Sequence, residues 1–104
     1  MTHSEQRKQV REQVRWAAHA SNSNVHLIGV SVHDISDKGI FLENTSKHKA
    51  ALGDLLRVLV FPRGQGQGLS AAGVVCWTGH SDAHHCDGVG IEFDQPLAVG
   101  PYLD

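Results

Sequence analysis

Short apolar segments alternate with polar, glycine-containing turns along most of this chain. Segments of this length between turn signals are typical of β-strands. The predicted strands are residues 13–20, 25–35, 40–43, 55–61, 71–78 and 88–93. Several short strands separated by turns predict an all-β domain, either a small antiparallel barrel or a sandwich.

The second predicted strand contains a conflict between spacing and polarity. Ile28, Val30 and Val32 recur at every second position and are predicted to face the core. Asp34 and Ser36 continue this spacing although both are polar. A bulge near position 33, or placement at the mouth of the barrel, would take the two polar side chains out of the core.

The N-terminal part of the chain allows two interpretations. Apolar residues at helical spacing permit one amphipathic helix over residues 5–20, but the alternation of Val14, Trp16 and Ala18 favours a strand. The preferred division is a flexible arm over residues 1–12, a barrel over 13–94 and a tail over 95–104. Two prolines in that tail, at positions 96 and 101, disfavour a long terminal helix.

Length and charge narrow the class of protein. The 104 residues fit one domain, and the net charge of −2 argues against general binding of DNA or RNA. No apolar run is long enough to span a bilayer, and residues 1–6 carry no signal-like segment, which predicts a cytoplasmic protein without membrane insertion. Residues 1–15 are nevertheless basic on balance. A basic segment on an acidic body predicts a site for a small anion or an acidic partner.

Cysteine and histidine residues raise the question of a metal site. With only two cysteines the chain is not a disulfide scaffold, so free thiols are expected. Cys76, His80, His84 and Cys86 are the candidate zinc ligands, but their spacing matches no usual structural zinc motif. The preferred interpretation is a polar hairpin loop without metal, with the two cysteines on its two arms. The two tryptophans of the chain, Trp16 and Trp77, are predicted to lie in the core.

Two motifs carry candidate binding chemistry. Arg7 and Arg11 have the spacing R-x-x-x-R, while Asp34, Ser36 and Gly39 have the spacing D-x-S-x-x-G. Arginines offer bidentate donors to phosphate and flat faces that stack on a base. Asp and Ser can bind the polar edge of a purine or cap a turn, and Gly39 lets the chain turn tightly because it is able to adopt positive φ. Together the motifs predict binding of a small anionic nucleotide.

These motifs, in this order, resemble the signature of PilZ domains, the bacterial receptors for cyclic di-GMP. Later segments resemble the family's strands, namely residues 39–42, 53–58, 74–77 and 88–93. The similarity covers about residues 6–94. It implies a six-stranded antiparallel β-barrel whose outer surface binds the nucleotide, with the arginine segment closing over it.

The resemblance also implies roles for individual residues. Arg7 and Arg11 would bind phosphate and stack on guanine, although Arg15 forms a second R-x-x-x-R with Arg11 and leaves the working pair open. Asp34 would contact a guanine edge. The full set of implied ligand-binding residues is Arg7, Lys8, Arg11, Asp34, Ser36, Gly39 and Gly90.

The expected activity is reception of a signal, not catalysis. The sequence has no nucleophile elbow, Walker loop or recognisable pair of catalytic carboxylates, and no cofactor is expected. The resemblance implies that the bound state acts on a downstream effector protein, in the control of motility, biofilm or exopolysaccharide. The alternative is a degenerate PilZ-like adaptor that binds proteins and no nucleotide.

Overall fold

Six strands form where apolar residues alternate with polar ones between turns. The computed structural model describes residues 12–44, 50–64 and 66–103. The strands are β1 (Glu12–Ser21), β2 (His26–Ile35), β3 (Gly39–Glu43), β4 (Leu55–Phe61), β5 (Leu69–Ser81) and β6 (Cys86–Phe93). All neighbouring pairs are antiparallel, and the order β1-β2-β3-β6-β5-β4 closes into a barrel. The closed barrel confirms the predicted all-β fold. Closure leaves no strand with an unpaired edge, since each strand has a neighbour on both sides.

The core consists of aliphatic side chains that point inward from successive strands. Burying each such side chain contributes about 1.5–3 kcal/mol to folding. The largest fully buried side chains are Leu27, Ile35, Ile40, Leu42, Ile91, Val32, Val58, Val60, Val75, Val89 and Pro62. Every strand except β1 supplies at least one of them, and β1 contributes Trp16, Ala18 and Ala20.

The N-terminal segment is a strand where the structure describes it. Trp16, Ala18 and Ala20 are buried while Arg15 and Ala17 are exposed. This alternation rules out the amphipathic helix from residue 12 onward and confirms Trp16 as a core residue. The predicted flexible arm lies almost entirely outside the described residues.

A bulge in β2 overturns one predicted core position. Leu27 is fully buried, whereas Ile28 is 64% exposed. The register of β1 and β2 shifts here, so that Ile28 and Gly29 both lie opposite His19. Gly29 has a φ of 63° and donates its N–H to Nδ1 of His19 at 2.8 Å. The positive φ of Gly29 changes the direction of the strand, and the side chain of Ile28 therefore points to solvent.

The C-terminal tail crosses the turn between β2 and β3. Phe93 N–H donates to the carbonyl of Lys38 at 2.8 Å, and Leu97 N–H donates to the carbonyl of Asp37 at 2.7 Å. Val99 is buried against the core. A short 3₁₀ turn over Gly100–Tyr102 follows, and the described part of the tail forms no long helix, as predicted.

No helix in the described ranges is both long and apolar enough to cross a membrane.

Candidate functional site

A second bulge in β2 places the acidic residue of D-x-S-x-x-G on the outside of the barrel. Val32 pairs with Leu42 and Asp34 pairs with Phe41, so His33 and Asp34 together lie opposite one residue of β3. Val32 and Ile35 are buried, whereas the side chains of His33 and Asp34 are partly exposed. The expected bulge near position 33 is confirmed, and it turns two successive side chains towards the same outer face. We call this outer surface of β2, β3 and β6, with the β5–β6 turn above it, the bulge face.

The β5–β6 turn contributes a partner for Asp34. Nε2 of His84 lies 2.9 Å from Oδ2 of Asp34, and each side chain is 14% exposed. His84 is itself held by its backbone N–H, which donates to Oγ of Ser81 at 3.2 Å. Sequence reasoning assigned His84 to a possible zinc set, because nothing in the local sequence shows which strand the turn meets.

Ser36 and Gly39 shape the turn between β2 and β3. Ser36 N–H donates to the carbonyl of Gly39 at 2.9 Å, and Oγ of Ser36 accepts from the N–H of Lys38 at 3.1 Å. The Ser36 side chain is therefore engaged in capping the turn. Gly39 does not use the positive φ that a glycine allows, since it already begins β3 and pairs with Glu92.

Aromatic side chains cover the middle of the bulge face. The ring of Phe41 lies 4.8 Å from the ring of His84 and 5.6 Å from that of Trp77, between centroids. Phe41 lies directly over Gly88, where an added Cβ would fall 2.0 Å from Cζ of the ring. The glycine is thus required for the close approach of Phe41 to the strand beneath it.

Trp77 lies on this outer face and not in the core. Its side chain is 41% exposed, which contradicts the predicted core position. The register of β5 and β6 shifts between Val75 and Trp77, so that Cys76 and Trp77 both lie opposite Gly90. The bulge turns the indole outward, and Gly90 leaves room for it: an added Cβ would lie 3.4 Å from Cβ of Trp77.

An open groove of about 670 Å³ lies beside the bulge face, over β1 and β2. Arg15, His33 and His84 are its titratable lining residues. A volume of this size is within the range that small molecules occupy. Arg15 is exposed on β1 and gives the groove a fixed positive charge, which suits an anion. Arg7, Lys8 and Arg11 lie outside the described residues, so their predicted roles remain predictions.

The proposed zinc ligands are not brought together in the described structure. Each of the four contacts a different group. Cys76 contacts the Gly90 carbonyl and His80 the Asp87 carboxylate. His84 contacts the Asp34 carboxylate and Cys86 the His33 imidazole. The two cysteines do lie on the two arms of the β5–β6 hairpin, as predicted, and both are free thiols.

Comparison with known proteins agrees with this architecture. The family model described as PilZ domain matches residues 5–100. A solved structure of the Bacillus subtilis inhibitor of motility MotI/DgrA superposes with a TM-score of 0.67 at 14% identity. The match covers 89% of this chain but only 44% of that chain, so the likeness extends to under half of MotI/DgrA. A search of curated proteins returns no match. Since the family model covers most of the sequence, the chain belongs to the PilZ domain family.

Proposed function

We propose that the chain is a non-enzymatic receptor for cyclic di-GMP, which binds on the bulge face. The observation that carries the proposal is the register shift at His33 and Asp34. It presents the Asp34 carboxylate outward, beside the groove that Arg15 and His84 line. Membership of the PilZ domain family supports the same conclusion.

Asp34 supplies recognition of the base in this proposal. A carboxylate accepts hydrogen bonds and matches the N1–H and N2 amino donors of guanine. His84 holds that carboxylate by the contact to Oδ2. Ser36 contributes by fixing the turn that follows, since its hydroxyl caps Lys38. Gly39 and Gly90 contribute through their lack of a side chain, Gly39 at the start of β3 and Gly90 beneath Trp77.

The arginines supply recognition of the phosphates. Arg7 and Arg11 donate to phosphate oxygens and stack on guanine, and Lys8 adds charge beside them. Arg15 lies at the groove from the β1 side and is well placed to add a further cation. Binding draws the N-terminal segment against the barrel and changes the surface that an effector protein meets.

The effector and the process follow by analogy with a structural neighbour. MotI/DgrA, part of which shares the fold of this chain, is an inhibitor of motility. We place this chain in the bacterial cytoplasm, in a comparable pathway of motility or biofilm control. The signal passes to a partner protein, without catalysis and without contact to DNA or RNA.

Calorimetric titration of the full chain with cyclic di-GMP, with GTP as the competing nucleotide, tests the proposal. We expect saturable binding at micromolar concentration or below that GTP does not reproduce. Arg7→Ala and Arg11→Ala should each weaken it by about tenfold or more, since a charge-assisted hydrogen bond contributes about 1.5–3 kcal/mol. Arg57→Ala is the matched control, because Arg57 is exposed on β4, away from the groove. Equal affinity of the Arg7 and Arg11 variants with the unaltered protein would refute the assignment.

A protein-binding adaptor is the second candidate function. Leu55, the first residue of β4, and Leu52, in the loop before it, are 68% and 65% exposed. Exposed apolar side chains that form a patch mark sites of protein interaction. Absence of any heat with cyclic di-GMP, together with loss of a bound protein in Leu55→Ser, would favour the adaptor over the receptor.

A further inference from the structure

Three potential metal ligands converge on the bulge face. None of them belongs to the implied nucleotide-binding residues, and only Cys86 belongs to the cysteine and histidine set suggested by spacing. Nε2 of His33 lies 3.0 Å from Oε1 of Glu43 and 3.6 Å from Sγ of Cys86. Within the described residues, these three ligand atoms all lie within 4.8 Å of one another. We infer that His33, Glu43 and Cys86 form a binding site for a divalent transition-metal ion, with Zn²⁺ as the representative ion.

The three ligands come from three adjacent strands. His33 lies in the bulge of β2, Glu43 ends β3 and Cys86 begins β6. Glu43 pairs with Gly88, two residues beyond Cys86. The ladders of a closed barrel hold these backbones in place, so the ligand atoms are brought together before any ion arrives.

The spacing of the donor atoms fits tetrahedral coordination. With a metal–nitrogen bond of about 2.0–2.1 Å and a metal–sulfur bond of about 2.3 Å, tetrahedral angles separate nitrogen and sulfur by about 3.6 Å. The distance from Nε2 of His33 to Sγ of Cys86 is 3.6 Å. The carboxylate of Glu43, at 3.0 Å, needs to move outward by only a few tenths of an ångström to reach its place.

The hydrogen-bonding capacity of His33 also favours a cation here. In a neutral imidazole, Nε2 is either a donor or an acceptor. It therefore satisfies Glu43 as a donor or the thiol of Cys86 as an acceptor, but not both at once. A metal ion at the centre satisfies nitrogen, sulfur and oxygen together. The ring of His33 is oriented for this by packing against Phe41 and His84, at centroid distances of 6.2 and 5.1 Å.

The donor set selects the class of ion. One thiolate, one imidazole and one carboxylate suit zinc and its neighbours in the first transition row, whereas calcium and magnesium prefer oxygen alone. Three protein ligands leave one position for water or for an exogenous group. The partial burial of all three residues permits entry of the ion from solvent.

Titration with Co²⁺ tests the site directly, because a thiolate-to-cobalt charge-transfer band reports coordination by sulfur. The full chain, without a histidine tag and pretreated with chelator, should show this band with saturation at one ion per chain. Cys86→Ser should abolish the band, and His33→Gln and Glu43→Gln should each weaken binding by at least about tenfold. Cys76→Ser is the matched control, since Cys76 is the other free thiol and contacts the Gly90 carbonyl instead. Absence of the band in the unaltered protein, or its survival in Cys86→Ser, would overturn the assignment.

A second measurement needs no variant. Excess Zn²⁺ should protect Cys86, but not Cys76, from alkylation in the unaltered protein, as read by mass spectrometry of the peptides. Equal alkylation of Cys86 with and without Zn²⁺ would reject the site. Neither measurement involves nucleotide, so the metal site can be confirmed or refuted independently of the proposed cyclic di-GMP site.

Discussion

Nε2 of His84 lies 2.9 Å from Oδ2 of Asp34, although 50 positions separate the two residues in the chain. The contact joins the β5–β6 turn to the bulge of β2 across the outer face of the barrel. Because both side chains are only 14% exposed, the contact is shielded from competing water. In the proposed receptor, His84 therefore positions the carboxylate that accepts hydrogen bonds from guanine.

Replacement of His84 should weaken binding of cyclic di-GMP. His84→Ala removes the hydrogen bond that orients Asp34, worth about 1 kcal/mol, which corresponds to about a fivefold loss of affinity in calorimetric titration. His80→Ala is the control, because His80 is exposed in the same hairpin and bonds to Asp87 instead. Unchanged affinity of His84→Ala would show that His84 does not position the carboxylate, and tighter binding would show that it competes with the nucleotide for it.

Asp34 itself should be the larger determinant of nucleotide affinity. Asp34→Ala removes the acceptor for two guanine donors, and we expect at least about a tenfold loss of affinity. Asp37→Ala provides the comparison, since Asp37 is exposed in the adjoining turn. Thermal unfolding of both variants separates loss of binding from loss of fold. An Asp34→Ala protein that keeps its melting temperature and its affinity would remove Asp34 from the site.

Strand positions could be predicted from sequence where alternation runs unbroken. The segment 55–61 was predicted to its end residues, because its inward side chains are all apolar and Pro62 ends it. Ile28 and Trp77 were wrongly predicted to lie in the core because each lies in a bulge, where one extra residue changes which side chains face inward. The alternation of apolar and polar residues does not show where such an extra residue is inserted. The bulge near position 33 was predictable because polar Asp34 conflicted with an apolar face.

Some residues of the candidate site could likewise be predicted from the sequence, and others could not. Asp34 and Ser36 were recognisable because their motif is local in sequence. The pairing of Asp34 with His84, and the meeting of His33, Glu43 and Cys86, depend on closure of the barrel and could not be read from spacing. Arg7, Lys8 and Arg11 stay predictions that the binding experiments must test.

Packing between β5 and β6 should depend on Gly73. A Cβ at this buried position would lie 2.4 Å from the backbone oxygen of Glu92, and a backbone carbonyl cannot move without disturbing the strand ladder. We expect Gly73→Ala to lower the free energy of unfolding by about 1–3 kcal/mol in urea denaturation. Gly100→Ala is the control, because an added Cβ there meets nothing within 4 Å. Equal stability of the two variants would contradict this account of the β5–β6 contact.

The thiol of Cys86 should ionise only at unusually high pH in the metal-free protein. Burial raises the pKa of Cys86 above its ordinary value of 9.0, and the neighbouring charges of Glu43 and Asp87 raise it further. In Cys76→Ser, which leaves a single thiol, the rate of alkylation by iodoacetamide in the presence of chelator should therefore rise with a midpoint above pH 9.0.

The same shift of the Cys86 pKa has a defined effect on stability. Well below pH 9.0 the thiol is protonated in both the folded and the unfolded chain, so its contribution is constant. As the pH rises past that value, the unfolded chain releases its proton first, and the free energy of unfolding falls. Cys86→Ala should lack this component of the decline, whereas Cys76→Ser should keep it. An alkylation midpoint at or below pH 9.0, or identical alkaline profiles for the two variants, would show that burial and the two carboxylates do not control this thiol.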